Sequence, residues 1–235
     1  PDPTFDIEGM DAAHKIGILS SLAFGTALPP EDFYIEGISK IDKIDFKYSI
    51  EMGYTIKHLA VSKMNSNNIE LRVHPVLIKL NSYLANLKGV RNGIEVETDL
   101  LGTLHIAGSG AGQESTASGI ISDLVHLANS NTKTYDDNSS NEKYTMSSFN
   151  DLSFQYYFYI EAEDIPGVMA SITSMFAQKK IGIESIVQKE NLKDNRVPIV
   201  IISDPFMEKN HDELVKNILN LNSVNKVRSI RIESY

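Results

Sequence analysis

Between residues 129 and 152 the chain runs Asn-Ser-Asn-Thr-Lys-Thr-Tyr-Asp-Asp-Asn-Ser-Ser-Asn-Glu-Lys and then a further short polar stretch. That segment has too few apolar side chains to anchor a helix or a strand. Dense apolar patterning lies on both sides of it. The sequence therefore reads as residues 1–128, a linker over 129–152, and residues 153–235.

The third segment alternates strand and helix signals. Strands are expected over 154–161, 182–189, 198–203 and 226–233, with helices over 168–178 and 211–219. That order is β-α-β-β-α-β, the ferredoxin-like pattern, with both helices covering one face of a four-stranded antiparallel sheet. The first segment is also α+β. A helix over 11–24 ends at Gly25. Ser39, followed by Asp42, is a loose capping signature for a helix reaching Met52, with Gly53 as its stop. Strands are expected over 54–63 and 69–73 and a hairpin over 93–97 and 103–107, then a glycine-rich turn and a helix over 116–128. The strands between 54 and 107 are expected to form one open mixed sheet with helices on one face. Its bare apolar face makes a natural dimer surface.

Composition narrows the functional classes. There are no cysteines, so disulfides, thiol nucleophiles and Cys-ligated metals are excluded, and a reducing cytoplasm is the compatible compartment. The net charge of -9 and the lack of a Lys/Arg cluster argue against nucleic acid. No apolar run is long enough to span a bilayer. The six histidines are scattered without metal-ligand spacing, so no metal site is expected.

Three constellations can carry chemistry. Asp11 and Lys15 are four apart on the first helix and share a stripe with Ile18 and Leu22. The pair is either an ordinary surface ion pair, worth about 0.2–0.5 kcal/mol, or a half-buried pair facing a cleft, where the lysine acts as proton donor or relay. Gly108-Ser-Gly-Ala-Gly112 joins a strand to a helix. It is either a tight turn or a place where backbone approaches a ligand closely. Glu163-Asp164-Ile165-Pro166-Gly167-Val168 joins another strand to a helix. It is either a plain βα turn or a small-carboxylate site.

Taken in order, the motifs resemble one family. Pro1-Asp-Pro-Thr-Phe-Asp6-Ile-Glu-Gly-Met-Asp11-Ala-Ala-His-Lys15 is similar to the signature of homoserine dehydrogenases. So are Glu36-Gly37-Ile38, Gly53-Tyr54, Val73-His74-Pro75, Leu84-Ala85-Asn86, the glycine loop, and the Ser115-Thr-Ala-Ser and Ser122-Asp-Leu that follow it. Residues 153–235, with Asp164-Ile-Pro-Gly-Val168, resemble an ACT domain, an amino-acid-binding regulatory module.

The resemblance implies an NAD(P)-dependent enzyme of threonine, methionine and isoleucine biosynthesis. It interconverts L-aspartate 4-semialdehyde and L-homoserine. Lys15 matches the family's proton-donating lysine, and Asp11 and Asp6 match acidic residues lining the homoserine site. Gly110 and Gly112 match the loop that approaches the cofactor. Asp164, Ile165 and Gly167 match the effector turn, with threonine as the effector expected by analogy. A homodimer or homotetramer is implied.

Two departures stand out. Ser109 replaces a usual proline, and Gln113-Glu-Ser115 stands where glycine and proline are common. The G-x-G-x-x-G fingerprint, the acidic ribose reader, the family's substrate glutamate and its monovalent-cation site are not found in these residues. The chain is therefore expected to lack most of the nucleotide-binding domain, and to be inactive alone. A second reading keeps only the ACT-like part at work, as an amino-acid-binding regulatory protein with the first segment as an oligomerisation scaffold.

Overall fold

The structure, a computed structural model, describes residues 2–26, 33–129, 144–188 and 195–233. In chain order the elements are α1 (Thr4–Ile7), α2 (Met10–Phe24), β1 (Tyr34–Ile35), α3 (Lys43–Glu51), β2 (Tyr54–Asn65), β3 (Asn68–Lys79), β4 (Arg91–Thr98), β5 (Gly102–Ser109) and α4 (Gln113–Asn129). They continue with β6 (Thr145–Met146), β7 (Ser153–Glu163), α5 (Val168–Gln178), β8 (Ile183–Gln188), β9 (Arg196–Ser203), β10 (Phe206–Met207), α6 (His211–Leu219) and β11 (Val224–Ile232). The chain divides into two compact units, residues 1–78 with 142–235, and residues 79–141.

The first unit is built on a mixed sheet that draws strands from both sides of the polar stretch. Its main path runs β1-β3-β11-β7-β9-β8, with β2 and β6 also on β3 and β10 on β7. Strand β3 is parallel to β1, to β6 and to β11. From β11 to β8 every pairing is antiparallel. The expected β-α-β-β-α-β order is present, and its strands lie in the ferredoxin-like spatial order. The expected open sheet over 54–107 does not form as such. Strands β2 and β3 join the large sheet, whereas β4 and β5 make a separate two-stranded sheet. The reason lies in β3, whose residues are buried continuously from Ile69 to Ile78. A strand covered on both faces cannot present a bare apolar face.

Alternation along β7 sorts two cores. Tyr156, Phe158 and Ile160 face Ile172 and Phe176 of α5 and Leu214 and Ile218 of α6. Tyr157 and Tyr159 face the other way, toward Tyr48 of α3, Ile56 of β2 and Leu77 of β3. Helices therefore cover both faces. Each fully buried large side chain contributes about 1.5–3 kcal/mol relative to exposure. Helix α3 begins at Lys43, later than the Ser39 signature implied. Asp42 is its N-cap, accepting from Ile44 N–H, and Asp45 reaches back to Asp42 N–H, so the same three-residue spacing acts one step downstream.

A charged ladder crosses this sheet. Arg72 on β3 donates to Glu70 at 2.7 Å, to His74 Nε2 at 2.8 Å and to Glu233 at 2.8 Å. Burial, reinforced by Arg231 and Arg72, holds the His74 imidazole well below its usual pKa, so it stays neutral.

In the second unit β4 and β5 form a regular hairpin, in register from Arg91↔Ser109 to Thr98↔Gly102. Tyr83 stacks on His105 at 4.1 Å, and His105 contacts Glu95 across the strands at 2.8 Å.

Candidate active site

Helices α1 and α2 are joined at Gly9, which has φ +87° and carries the backbone between them. The turn leaves no room for a side chain, because a Cβ at Gly9 would meet the His58 imidazole at 3.0 Å and Val73 at 3.2 Å. Asp2 accepts from the Thr4 N–H and hydroxyl, which lowers its carboxyl pKa.

Asp6 lies exposed on α1, while Asp11 and Lys15 share a face of α2. Lys15 Nζ donates to Asp11 Oδ2 at 2.5 Å, with the two side chains 56% and 40% exposed. The sequence is thus right that the pair is formed. The pair is about half exposed, while the stripe it shares is open, with Ile18 and Leu22 53% and 65% exposed. The face that α2 buries is Ala13, Gly17 and Ser20, three small residues that allow close approach to β2. Ser62 donates to Ser20 there at 2.8 Å. Close packing favoured small side chains over the larger apolar ones, which stay at the surface.

Glycine loop residues Gly110 and Gly112 belong to the second unit. Gly110 N–H donates to the Val90 carbonyl at 2.8 Å, and its α-carbon presses on the Asn92 amide so closely that a Cβ would overlap it. Gly112 has φ +123°, and its carbonyl accepts from Ser115 and Thr116 at the start of α4. Ile120, Ile121, Leu124, Val125 and Leu127 on α4 are all exposed.

The third constellation sits between β7 and α5. Gly167 has φ +92° and is the N-cap of α5. Asp164 N–H donates to the Asn195 carbonyl at 3.0 Å, its carboxylate faces Gln188 at 3.4 Å, and Ile165 is exposed.

A further polar site was missed from the sequence. A cavity of about 620 Å³ is lined by Tyr34, Glu36, Tyr156, Glu208 and Arg231, among others. Arg231 is 7% exposed and donates to Glu208, Glu36 and Tyr34. Tyr156 hydrogen-bonds Glu208, and burial raises the pKa of both tyrosines, Tyr34 and Tyr156. Two signals were available. Glu70, Arg72 and His74 alternate with apolar residues on one strand, and Arg228 and Arg231 fall on another, so both strands carry charge into a core.

Fold and side chains together define a mixed α/β protein with an acid–lysine pair on an open helix face. Residues 1–125 match the family model described as Homoserine dehydrogenase. The chain is 37% identical over 242 residues to a homoserine dehydrogenase of Pseudomonas aeruginosa, covering 99% of this chain and 56% of that protein. It is 38% identical over 246 residues to one of Neisseria gonorrhoeae, again with 99% and 56% covered. A solved homoserine dehydrogenase from Thiobacillus denitrificans matches with a TM-score of 0.86 and 38% identity, over 99% of this chain and 55% of that one. The chain belongs to the homoserine dehydrogenase family. It spans about half the length of the curated relatives it matches.

Proposed function

We propose that this chain supplies the substrate-binding and proton-transferring part of a homoserine dehydrogenase acting between L-aspartate 4-semialdehyde and L-homoserine. The observation that carries the reading is the Lys15–Asp11 contact at 2.5 Å, on a segment inside the family match. That match falls on the residues which the second reading would leave as mere scaffold. As the aldehyde is reduced, negative charge develops on its oxygen. The Lys15 ammonium stabilises that oxygen and passes it a proton. Asp11 fixes the lysine on its helix, and Asp6 and Asp11 suit the substrate ammonium group.

Gly110 and Gly112 fit a nicotinamide cofactor. At Gly112 a Cβ would meet nothing nearer than Ser115 Oγ at 3.4 Å, and its positive φ is one that glycine adopts without strain; at Gly110 the Asn92 amide fills that side. When bound, NAD(P) exchanges a hydride with the substrate carbon. Residues 153–235 are read as an ACT module on their β-α-β-β-α-β order, with Asp164, Ile165 and Gly167 receiving an amino-acid effector such as threonine. The exposed Leu100, Leu101, Leu104 and Ile106 of the hairpin support a homodimer or homotetramer.

The test is Lys15→Met in a polypeptide spanning the full length of the relatives. Turnover is expected to fall by about 10²–10⁴-fold. The fold is expected to survive, because the side chain is exposed. Unchanged turnover would end this reading.

A further inference from the structure

The segment bearing Asp6, Asp11 and Lys15 is held from behind by residues 36–38. Ile38 N–H donates to the Ile7 carbonyl at 3.0 Å. Gly37 lies so near Glu8 that any side chain there would strike the Glu8 backbone. Gly9 rests on the His58 ring, whose Nε2–H donates to the Glu36 carbonyl at 2.9 Å. Glu36 N–H is in turn fixed by the Val73 carbonyl of β3 at 2.8 Å.

The Glu36 carboxylate reaches the opposite way. It accepts from Arg231 Nη1 of β11 at 2.7 Å and from the Tyr34 hydroxyl at 2.7 Å. The other donors of the same guanidinium grip Glu208, just before α6, through Nε at 3.0 Å and Nη2 at 2.5 Å. The rings of Tyr34 and Phe149 lie over it at 5.0 and 4.9 Å. A planar, forked cation paired on two sides fixes distance and orientation together, so it cannot move toward one carboxylate without disturbing the other. The ring contacts add a further cost to its leaving.

We propose that Arg231 and Glu36 are positioning residues for the Asp6–Lys15 segment. Through this ion pair the placement of β11 and of Glu208 sets the seat of the α1–α2 turn. The inference rests on the proposed role of Lys15 only for its catalytic meaning; the mechanical link stands on contacts within one unit.

The experiment is site-resolved amide hydrogen exchange on this chain, comparing Glu36→Gln and Arg231→Lys with the parent. Glu161→Gln serves as control, since Glu161 pairs with Arg196 at 2.6 Å on β7 and β9, away from residues 36–38. Exchange at Ile7–Ala13 is expected to accelerate about tenfold or more relative to the amides of α5, the loss expected of one charge-assisted hydrogen bond. The control is expected to leave that ratio unchanged. Equal acceleration in both regions, or in control and test alike, overturns the proposal. If Glu36→Gln does not fold, Glu36→Asp, which withdraws the carboxylate by one methylene, is read by the same ratio. In a polypeptide of the relatives' full length, Glu36→Gln is expected to lower kcat about tenfold with little change in cofactor KM. A normal kcat with accelerated exchange refutes the catalytic meaning alone. Failure of the Lys15 reading is seen separately, as unchanged turnover in Lys15→Met.

Discussion

Arg72 and Glu233, 161 residues apart in sequence, form an ion pair at 2.8 Å in which both side chains are almost wholly buried. The pair sits where β3 meets β11, so this contact forms only when those two strands are in register. Removing the cation leaves the largely buried Glu70 carboxylate without its partner, and leaves Glu233 held only by Lys63 at 2.9 Å. Arg72→Met is expected to cost about 3–5 kcal/mol. Urea denaturation followed by circular dichroism measures it. A loss under 1 kcal/mol would mean that water reaches the site.

His74 gives a pH dependence. Its folded pKa is depressed by burial and by two neighbouring guanidinium groups, while the unfolded chain titrates near the ordinary value of about 6.5. The unfolded state then takes up a proton that the folded state refuses. Stability from this group is present above that value and falls as pH drops below it, by up to about 1.4 kcal/mol per pH unit. Chemical denaturation between pH 7.5 and 5 is expected to show that slope, and His74→Phe is expected to flatten it. Parallel curves for the two proteins would contradict the neutral assignment.

Helix α2 offers a test of which face is packed. Ala13 is buried against β2, and Ile18 is open. Ala13→Leu is expected to destabilise by about 1–3 kcal/mol through overpacking. Ile18→Ala should stay within about 0.5 kcal/mol. Thermal melts of the two variants in this chain decide it, and the reverse ranking would place the wrong face inward.

In the glycine loop, Gly112→Ala forces an L side chain into φ +123°. In a full-length polypeptide this is expected to weaken NAD(P)H binding about tenfold, or about 1.4 kcal/mol. Fluorescence titration of the cofactor measures it. Unaltered affinity would remove the loop from the cofactor site.

Much of the local structure was legible. Helices α5 and α6 fall on the expected 168–178 and 211–219, and the strands around them shift by a residue or two. Their signals are local: an amphipathic period, a Pro-Gly break, a polar turn. Alternation marks β3 only as far as Val73. It continues to Lys79 because burial on both faces replaces alternation with the apolar run of residues 75–78. The pairing of β3 with β11 was not legible, since no local pattern encodes a partner so far along the chain. For the site, the i,i+4 spacing correctly brought Asp11 and Lys15 together. The apolar stripe misled on burial, because small residues rather than large ones make the packed face of α2.

The parallel seam between β3 and β11 has a consequence for biogenesis. On a ribosome, Val73, Val76 and Leu77 emerge well before Arg231 and Ile232, and at 5–20 residues per second the interval is roughly 8–30 s. During that time a sticky hydrophobic strand waits with one edge unmatched. Nascent chains of this protein should therefore depend on chaperone shielding, and pauses in translation downstream of residue 79 should raise the fraction lost to aggregation.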